Sequence, residues 1–348
     1  GTTGHPKGVL HSHAGCWTAI NTCREIFELR SEDVVLVGKP ITHAGGLQTQ
    51  LLPSLMVGGE VILEMLPSPA KAAELINHFG VTVYAMLSSS LLDFVDYVGH
   101  NQPLDLQTLR TVIGSGDSVP LELQAQFLKL FGWPALQGCG ITEIGGYYAM
   151  QPLHKLHKPG CIGLPTPGTE LRLVDEECQD VSVGFPGEVL LRTASATLGY
   201  WEEPDASRDL FQSGWLRTGD IARQDQDGYI WFVGRRKFII IRRGSNISPL
   251  AVESILDQHP EVQASVVVGV PDERDGEVPV AWIVSRHPAR PPTELMLQEH
   301  LSKHLAAYQF PAQYLHRNEL PRNSVGKFDR VRLQTEAAAI ASDHAKSA

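Results

Sequence analysis

A chain of 348 residues, 43% hydrophobic and 20% charged, has the balance of an ordinary soluble protein with a sizeable core and is long enough for two domains. Its net charge of −10 argues against a general nucleic-acid binder, which needs a basic surface to neutralise phosphates. The five cysteines are scattered without a C-x-x-C, against a disulfide framework or zinc ribbon and for a reducing, cytoplasmic setting, and no apolar run approaches the ~20 residues of a spanning helix.

The chain opens on "GTTGHPKG" (1–8). Its glycines allow positive φ and close backbone approach, Thr2 and Thr3 offer hydroxyls, and Lys7 offers a cation. Donors without acceptors suit a polyphosphate, although the Walker A spacing is not matched and a Gly-Pro surface turn explains the stretch equally well.

From 34 to about 138, β-rich runs alternate with amphipathic ones. Strands are expected at 34–38, 60–63, 81–86 and 109–116, and helices at 47–59, 69–80, 88–99 and 120–132. This alternation predicts an α/β fold, with a largely parallel sheet covered by helices and its ligands at loops beyond the strands' carboxyl ends. After 159, short strands separated by Pro, Gly and Asp predict a small β subdomain. Its segment 221–234 reads as a hairpin turning at Asp227-Gly228.

A third region begins at Gly234. It reads as a strand at 238–242, a helix opened by Ser248-Pro249, a strand pair joined by "PDERDGE", a helix at 294–305 and a final short strand. That is a small α+β domain, and the small, polar stretch 337–348 is expected to fray. The domain division is therefore 1–233 and 234–348.

Four further stretches have chemical potential. In "QGCGITEIGG" (137–146) a Thr-Glu pair follows a glycine turn, a hydroxyl for a phosphate and a carboxylate for Mg²⁺, or simply a helix start. In "GWLRTGDIA" (214–222) Asp220 can accept two hydrogen bonds from a ribose diol, or serve as a turn residue. "GRRKFIIIRRGSNISP" (234–249) flanks an apolar triplet with four basic residues, which also suits a plain edge strand. "NSVGKFDR" (323–330) places Lys327 after a glycine in a polar loop. Taken singly, these stretches are better explained structurally.

In this order the five stretches resemble the adenylate-forming superfamily of acyl-CoA synthetases, luciferases and adenylation domains. "GTTGHPKG" is similar to its phosphate loop S-G-T-T-G-x-P-K-G without the leading Ser. "GITE" resembles its G-x-T-E, "LRTGD" its Y-x-T-G-D, "GRRKFIIIRRGSNISP" its G-R-x-K-D-x-I-x-x-x-G-x-N-I-x-P, and "SVGKFDR" its N-G-K-x-D-R. Weaker likenesses are "GSGDSVP" (114–120) to an adenine loop, "PITHAGG" (40–46) to a P-x-x-H segment, and "GEVLLRTASATLGYW" (187–201).

The resemblance implies activation of a carboxylic acid by ATP to acyl-AMP, then transfer to coenzyme A. By matched position Thr2, Thr3, Gly4 and Lys7 would hold the β,γ-phosphates, Thr142 the α-phosphate and Glu143 the Mg²⁺. Gly116, Asp117 and Ser118 would line the adenine, and Asp220 would hold the ribose with Arg235 close by. Lys327 would bridge the carboxylate and the α-phosphate. Lys237 falls at a hinge about which the C-terminal domain rotates, and Gly244 would line the pantetheine tunnel. His43, Ala44 and Gly45 would form one wall of the acyl pocket, with Gly146 and Tyr147 near another.

The small residues at 44, 45 and 146 point to a medium, branched or aromatic acid rather than acetate. Three positions depart from the family pattern: Cys139 replaces an adenine-stacking aromatic, Phe238 an acidic residue, and Ile241 a lysine common in luciferase-like members. His11, His13, His154 and His157 do not form a metal motif, since no carboxylate or Cys cluster accompanies them. Other readings are a different acceptor (carrier protein or luciferase-like chemistry) or a non-catalytic nucleotide-binding remnant. The missing Ser before Gly1 suggests a chain truncated at its N-terminus, whose isolated form would be unstable and weakly active.

Overall fold

The computed structural model describes residues 7–101, 105–115, 119, 121–323 and 327–347, without the side chains of 89, 122 and 342–347. Two compact units emerge: Gly1–Thr218 with Ala222–Phe232, and Gly219–Ile221 with Val233–Ala348.

The first unit is built on a seven-stranded sheet. After a short strand β1 (Val9–Leu10) and helix α1 (His13–Ile26) come β2 (Val34–Val37), β3 (Glu60–Leu63), α2 (Pro69–Phe79), β4 (Val83–Leu87), α3 (Ser88–His100), β5 (Thr111–Ser115), α4 (Leu121–Phe131), β6 (Leu136–Ile141), β7 (Gly146–Met150) and β8 (Leu164–Pro165). The order is β3-β2-β4-β5-β6-β7-β8, parallel through β6 and antiparallel thereafter. Every residue of β4 and β5 is buried, as expected of central strands covered on both faces. Tyr84, Phe94, Leu123 and Phe127 belong to the core with the helices α2–α4, and Cys23, Phe27, Val37, Ile113 and Tyr147 to the core with α1. The sheet is the helix-covered, largely parallel one that the alternation predicts.

Two local features differ from expectation. Helix α1 was not anticipated: Ser12 caps it by accepting from the Gly15 N–H, and its buried residues Gly15, Ala19 and Cys23 are small. The expected helix 47–59 is instead a π-helical turn, Leu47–Leu51, running into a short α-helix, Leu52–Met56. Pro53 in that helix's first turn has no N–H to donate to a preceding carbonyl.

The β subdomain contains β9 (Thr169–Val174), β10 (Gly187–Thr193), β11 (Gly199–Tyr200), β12 (Phe211–Gln212), β13 (Trp215–Gln224) and β14 (Ile230–Arg235). Five of these form one sheet, while β11 pairs with β1. The β13–β14 hairpin turns where expected. Asp225 Oδ1 accepts from the N–H groups of Asp227 and Tyr229, each at 3.0 Å, and Gly228 has a φ of 84°.

In the second unit β15 (Ile240–Arg242) and β16 (Ser245–Ile247) form a tight hairpin through Arg243 and Gly244, with φ of 50° and 78°. Ser248 caps α5 (Pro249–Leu256). The long antiparallel pair β17 (Val262–Asp272) and β18 (Gly276–Ser285) is flanked by β19 (Gln313–His316), parallel to β18. One core takes α5 and α6 (Glu294–Leu301), the other α7 (Arg330–Ser347). The stretch expected to fray belongs to α7. Leu333 and Ala337 are fully buried in that helix and dock it on the sheet. Arg330, at the start of α7, pairs with Glu253 of α5 at 2.5 Å, and Glu253 also accepts from the Val267 N–H. Among the described residues no helix is long and apolar enough to cross a membrane.

Candidate active site

Lys7 leaves the glycine-rich loop directly before β1. The β1–β11 ribbon, with Val9 opposite Tyr200, sets Lys7 Nζ 4.7 Å from the centre of the Tyr200 ring. That is cation–π distance. The Tyr200 hydroxyl donates to Glu143 Oε1 at 2.7 Å. Burial and the neighbouring Glu143 push the phenol's pKa up, so it stays a donor.

Thr142 and Glu143 occupy a single 3-10 turn between β6 and β7, closed by Gly145 with a φ of 63°. Two backbone anchors fix this turn: His11 Nε2 lies 2.8 Å from the Thr142 carbonyl, and Thr197 N–H donates to the Glu143 carbonyl at 2.7 Å. Thr142 is exposed and Glu143 half-buried. A cation and a carboxylate from distant parts of the chain thus meet at Tyr200, with Thr142 next to Glu143 in the same turn. Glu143 is held from one side by Tyr200, and no other described side chain hydrogen-bonds to its carboxylate. A single oriented carboxylate fits magnesium, which takes few protein oxygens and completes its shell with phosphate oxygens and water.

A second group of predicted residues lies around Tyr147, on β7. His43 caps the turn Ala44–Gly46, its Nδ1 accepting from the Gly45 N–H at 2.9 Å. Thr49 donates to the Gly45 carbonyl at 2.7 Å. A Cβ on Gly45 would stand 2.9 Å from His43 Nδ1 and 3.3 Å from Lys39 Cδ, so packing already uses the space its missing side chain leaves. Over Gly146 the nearest atoms are Cys23 Sγ at 3.6 Å and Ala19 Cβ at 3.9 Å. Lys39, 3% exposed, donates to Ser115 Oγ and to Tyr147 Oη, the latter at 3.4 Å, and Ser115 Oγ lies 3.1 Å from Tyr147 Oη. Burial depresses the Lys39 ammonium to about 8 and raises both the Tyr147 phenol and the Cys23 thiol to about 12.

The second unit contains the remaining predicted residues. Asp220 is completely buried and forms an ion pair with Arg235 Nε at 2.6 Å. Lys237 Nζ lies 4.6 Å from the Phe238 ring centre, and desolvation together with the Arg235 charge holds its ammonium at about 8. Gly244 occupies the left-handed turn position that glycine favours. Lys327 closes a small loop: its N–H donates to Asn323 Oδ1 at 3.1 Å and its carbonyl accepts from Asn323 N–H at 2.8 Å.

Comparison with known proteins gives the arrangement a family. A family model described as AMP-binding enzyme matches residues 1–201, and one described as AMP-binding enzyme C-terminal domain matches 251–327. The chain belongs to the AMP-binding enzyme family. A long-chain-fatty-acid–CoA ligase of Yersinia pestis is 33% identical over 347 residues, 98% of this chain and 61% of the relative. An indoleacetate–CoA ligase of Aromatoleum aromaticum is 34% identical over 331 residues, 94% and 64%. The crystal structure of the anthranilate CoA ligase AuaEII in complex with anthranoyl-AMP superposes with a TM-score of 0.88 at 30% identity, covering 98% of this chain and 67% of that one. The chain thus spans about three fifths of the length of these curated relatives.

Six predicted contacts of this AMP-binding enzyme, Thr2, Thr3, Gly4, Gly116, Asp117 and Ser118, lie outside the described residues. Of the departures, Cys139 is half-buried on β6, Phe238 carries the Lys237 ammonium over its ring, and Ile241 is 54% exposed. Sequence reasoning missed Tyr200, His11, Ser115 and Lys39. Tyr200 stands in a stretch already noted for its likeness to the family ("LGYW"), which is the signal that was there to use. Nothing in sequence marks a lysine as buried.

The Lys39 ammonium yields a signed prediction. Between pH 8 and 10.5 the folded protein carries it neutral while the unfolded chain keeps it charged, so its share of stability rises with pH. Lys39→Met is therefore expected to be more stable than the parent below pH 8, by at most roughly 3 kcal/mol at ~1.4 kcal/mol per unit. The advantage should shrink as pH climbs from 8 toward 10.5. Paired urea melts check this, and an advantage that stays flat with pH would contradict it.

Proposed function

We propose that this AMP-binding enzyme activates a carboxylic acid with ATP and passes the acyl group to coenzyme A. A substrate carboxylate oxygen attacks the α-phosphorus, the bond to the bridging oxygen breaks, and pyrophosphate leaves. The coenzyme A thiol sulfur then attacks the acyl carbon and loses its proton, and AMP leaves.

The observation that carries this reading is the convergence of Lys7, Tyr200, Glu143 and Thr142. Lys7 would neutralise the β,γ-phosphates together with Thr2, Thr3 and Gly4, and Thr142 would donate to the α-phosphate. Glu143, oriented by Tyr200, would hold Mg²⁺, which when bound supplies charge neutralisation of the phosphates. Gly116, Asp117 and Ser118 would face the adenine and Asp220 the ribose, with Arg235 fixing the Asp220 carboxylate. Residues 234–348 would form a domain turning about Lys237, bringing Lys327 to the first step and Gly244 to the pantetheine in the second.

The printed activities of the relatives, on long-chain fatty acids, indoleacetate and anthranilate, support an acid–CoA ligase. For this chain a medium, branched or aromatic acid is the proposed class, with His43, Ala44, Gly45, Gly146 and Tyr147 around it. Acid-dependent exchange of pyrophosphate into ATP tests the reading.

A further inference from the structure

Lys39 plays no part in the chemistry above, yet it is a cation enclosed in the first unit's core. Its described neighbours are the hydroxyls of Ser115 and Tyr147 and the Cys23 thiol, which burial keeps protonated. Among the described residues no carboxylate pairs with it. Burying an ammonium without an anion is costly. The cluster is also rich in donors. Lys39 brings three N–H groups of which two are used, and of the two hydroxyl protons on Ser115 and Tyr147 one is taken up between them.

Lys39 runs beneath Gly45, and Tyr147 directly follows Gly146. Thr49 comes from a π-helical turn, a distortion frequent at functional sites. In the same turn Gln50 is 2% exposed, and both of its amide atoms lack a partner among the described residues. A surplus of buried donors beside small residues is what an anionic group on a ligand would complete.

We propose that Lys39, Ser115 and Tyr147 form an anion-accepting subsite of the acyl pocket, and that the acid activated here carries a second carboxylate that docks on them. This rests on the acid-activation reading above. The competing arrangement is an internal counter-charge, which would make Lys39 part of the scaffold.

The test is acid-dependent ATP–pyrophosphate exchange by the intact enzyme, with monocarboxylic and α,ω-dicarboxylic acids of equal chain length. The parent is expected to favour the diacid by ~10-fold or more in kcat/KM. Lys39→Met is expected to lose ~10²-fold on the diacid, the scale for truncating one partner of a buried charge pair, and to gain on the monoacid. Tyr147→Phe, which removes one hydroxyl at constant shape, should move the ratio the same way by less and is a second, independent test of the subsite. Equal losses on both acids, or a parent that prefers the monoacid, would overturn the subsite. A parent that exchanges with no acid at all would overturn the acid-activation reading instead, and the subsite with it.

Discussion

Replacing Lys327 by alanine is expected to cut acid-dependent ATP–pyrophosphate exchange by at least ~10²–10³-fold, the loss of ~3–4 kcal/mol seen when one preorganised transition-state donor is removed. The reason is local. Negative charge gathers between the attacking carboxylate and the α-phosphate, and a lysine ammonium is a compact charge that can sit between them. The protein holds the base of that lysine's loop firmly. Asn323 and Lys327 exchange two hydrogen bonds, Arg322 and Phe328 form a β-bridge, and three residues after Lys327 the chain is tied down by the Arg330–Glu253 pair. The Lys327 side chain is itself half-buried and contributes little to that anchoring, so folding stability should stay close to the parent. Thioester formation from supplied acyl-AMP should be largely spared, because the carboxylate is already joined to the phosphate. Normal exchange by the variant would remove Lys327 from the first step.

The parts of this site that were legible in sequence are those where residue type and spacing carry the chemistry. Thr142, Glu143 and Lys7 could be named because their glycine-marked stretches, taken together and in order, resemble the motifs of one family. Strands β4 and β5 and helix α2 could be placed because short β-rich apolar runs alternate there with an amphipathic one. Helix α1 was illegible for a physical reason: it buries Gly15, Ala19 and Cys23, small residues that a search for an apolar stripe passes over, while Trp17 faces solvent at 63% exposure. The same holds for α7, which is docked by Leu333 and Ala337 in an otherwise polar stretch. Tyr200 and Lys39 depend on pairing across large sequence separations. Tyr200 reaches Glu143, 57 residues away, and Lys39 reaches Ser115, 76 residues away.

Glu143→Gln is the second large expected effect. Glutamine keeps the shape and an acceptor for the Tyr200 hydroxyl but loses the negative charge. Exchange is expected to fall ~10²–10³-fold, and the free Mg²⁺ needed for half-maximal binding of ATP should rise. The unfolding midpoint should barely move, since the backbone anchors from His11 and Thr197 do not involve the carboxylate. Because Tyr200 also carries Lys7 over its ring, a Tyr200→Phe variant separates the two roles: it keeps the ring contact and removes only the hydrogen bond. An unchanged Mg²⁺ requirement in Glu143→Gln would show that this carboxylate does not hold the metal.

The central claim is that the convergence of Lys7, Thr142 and Glu143 serves acid activation. Pyrophosphate exchange into ATP by the intact enzyme, measured across a panel of carboxylic acids with and without acid present, tests it most directly. The predicted result is exchange that requires an acid and falls in Glu143→Gln. ATP binding with no exchange supported by any acid would contradict it.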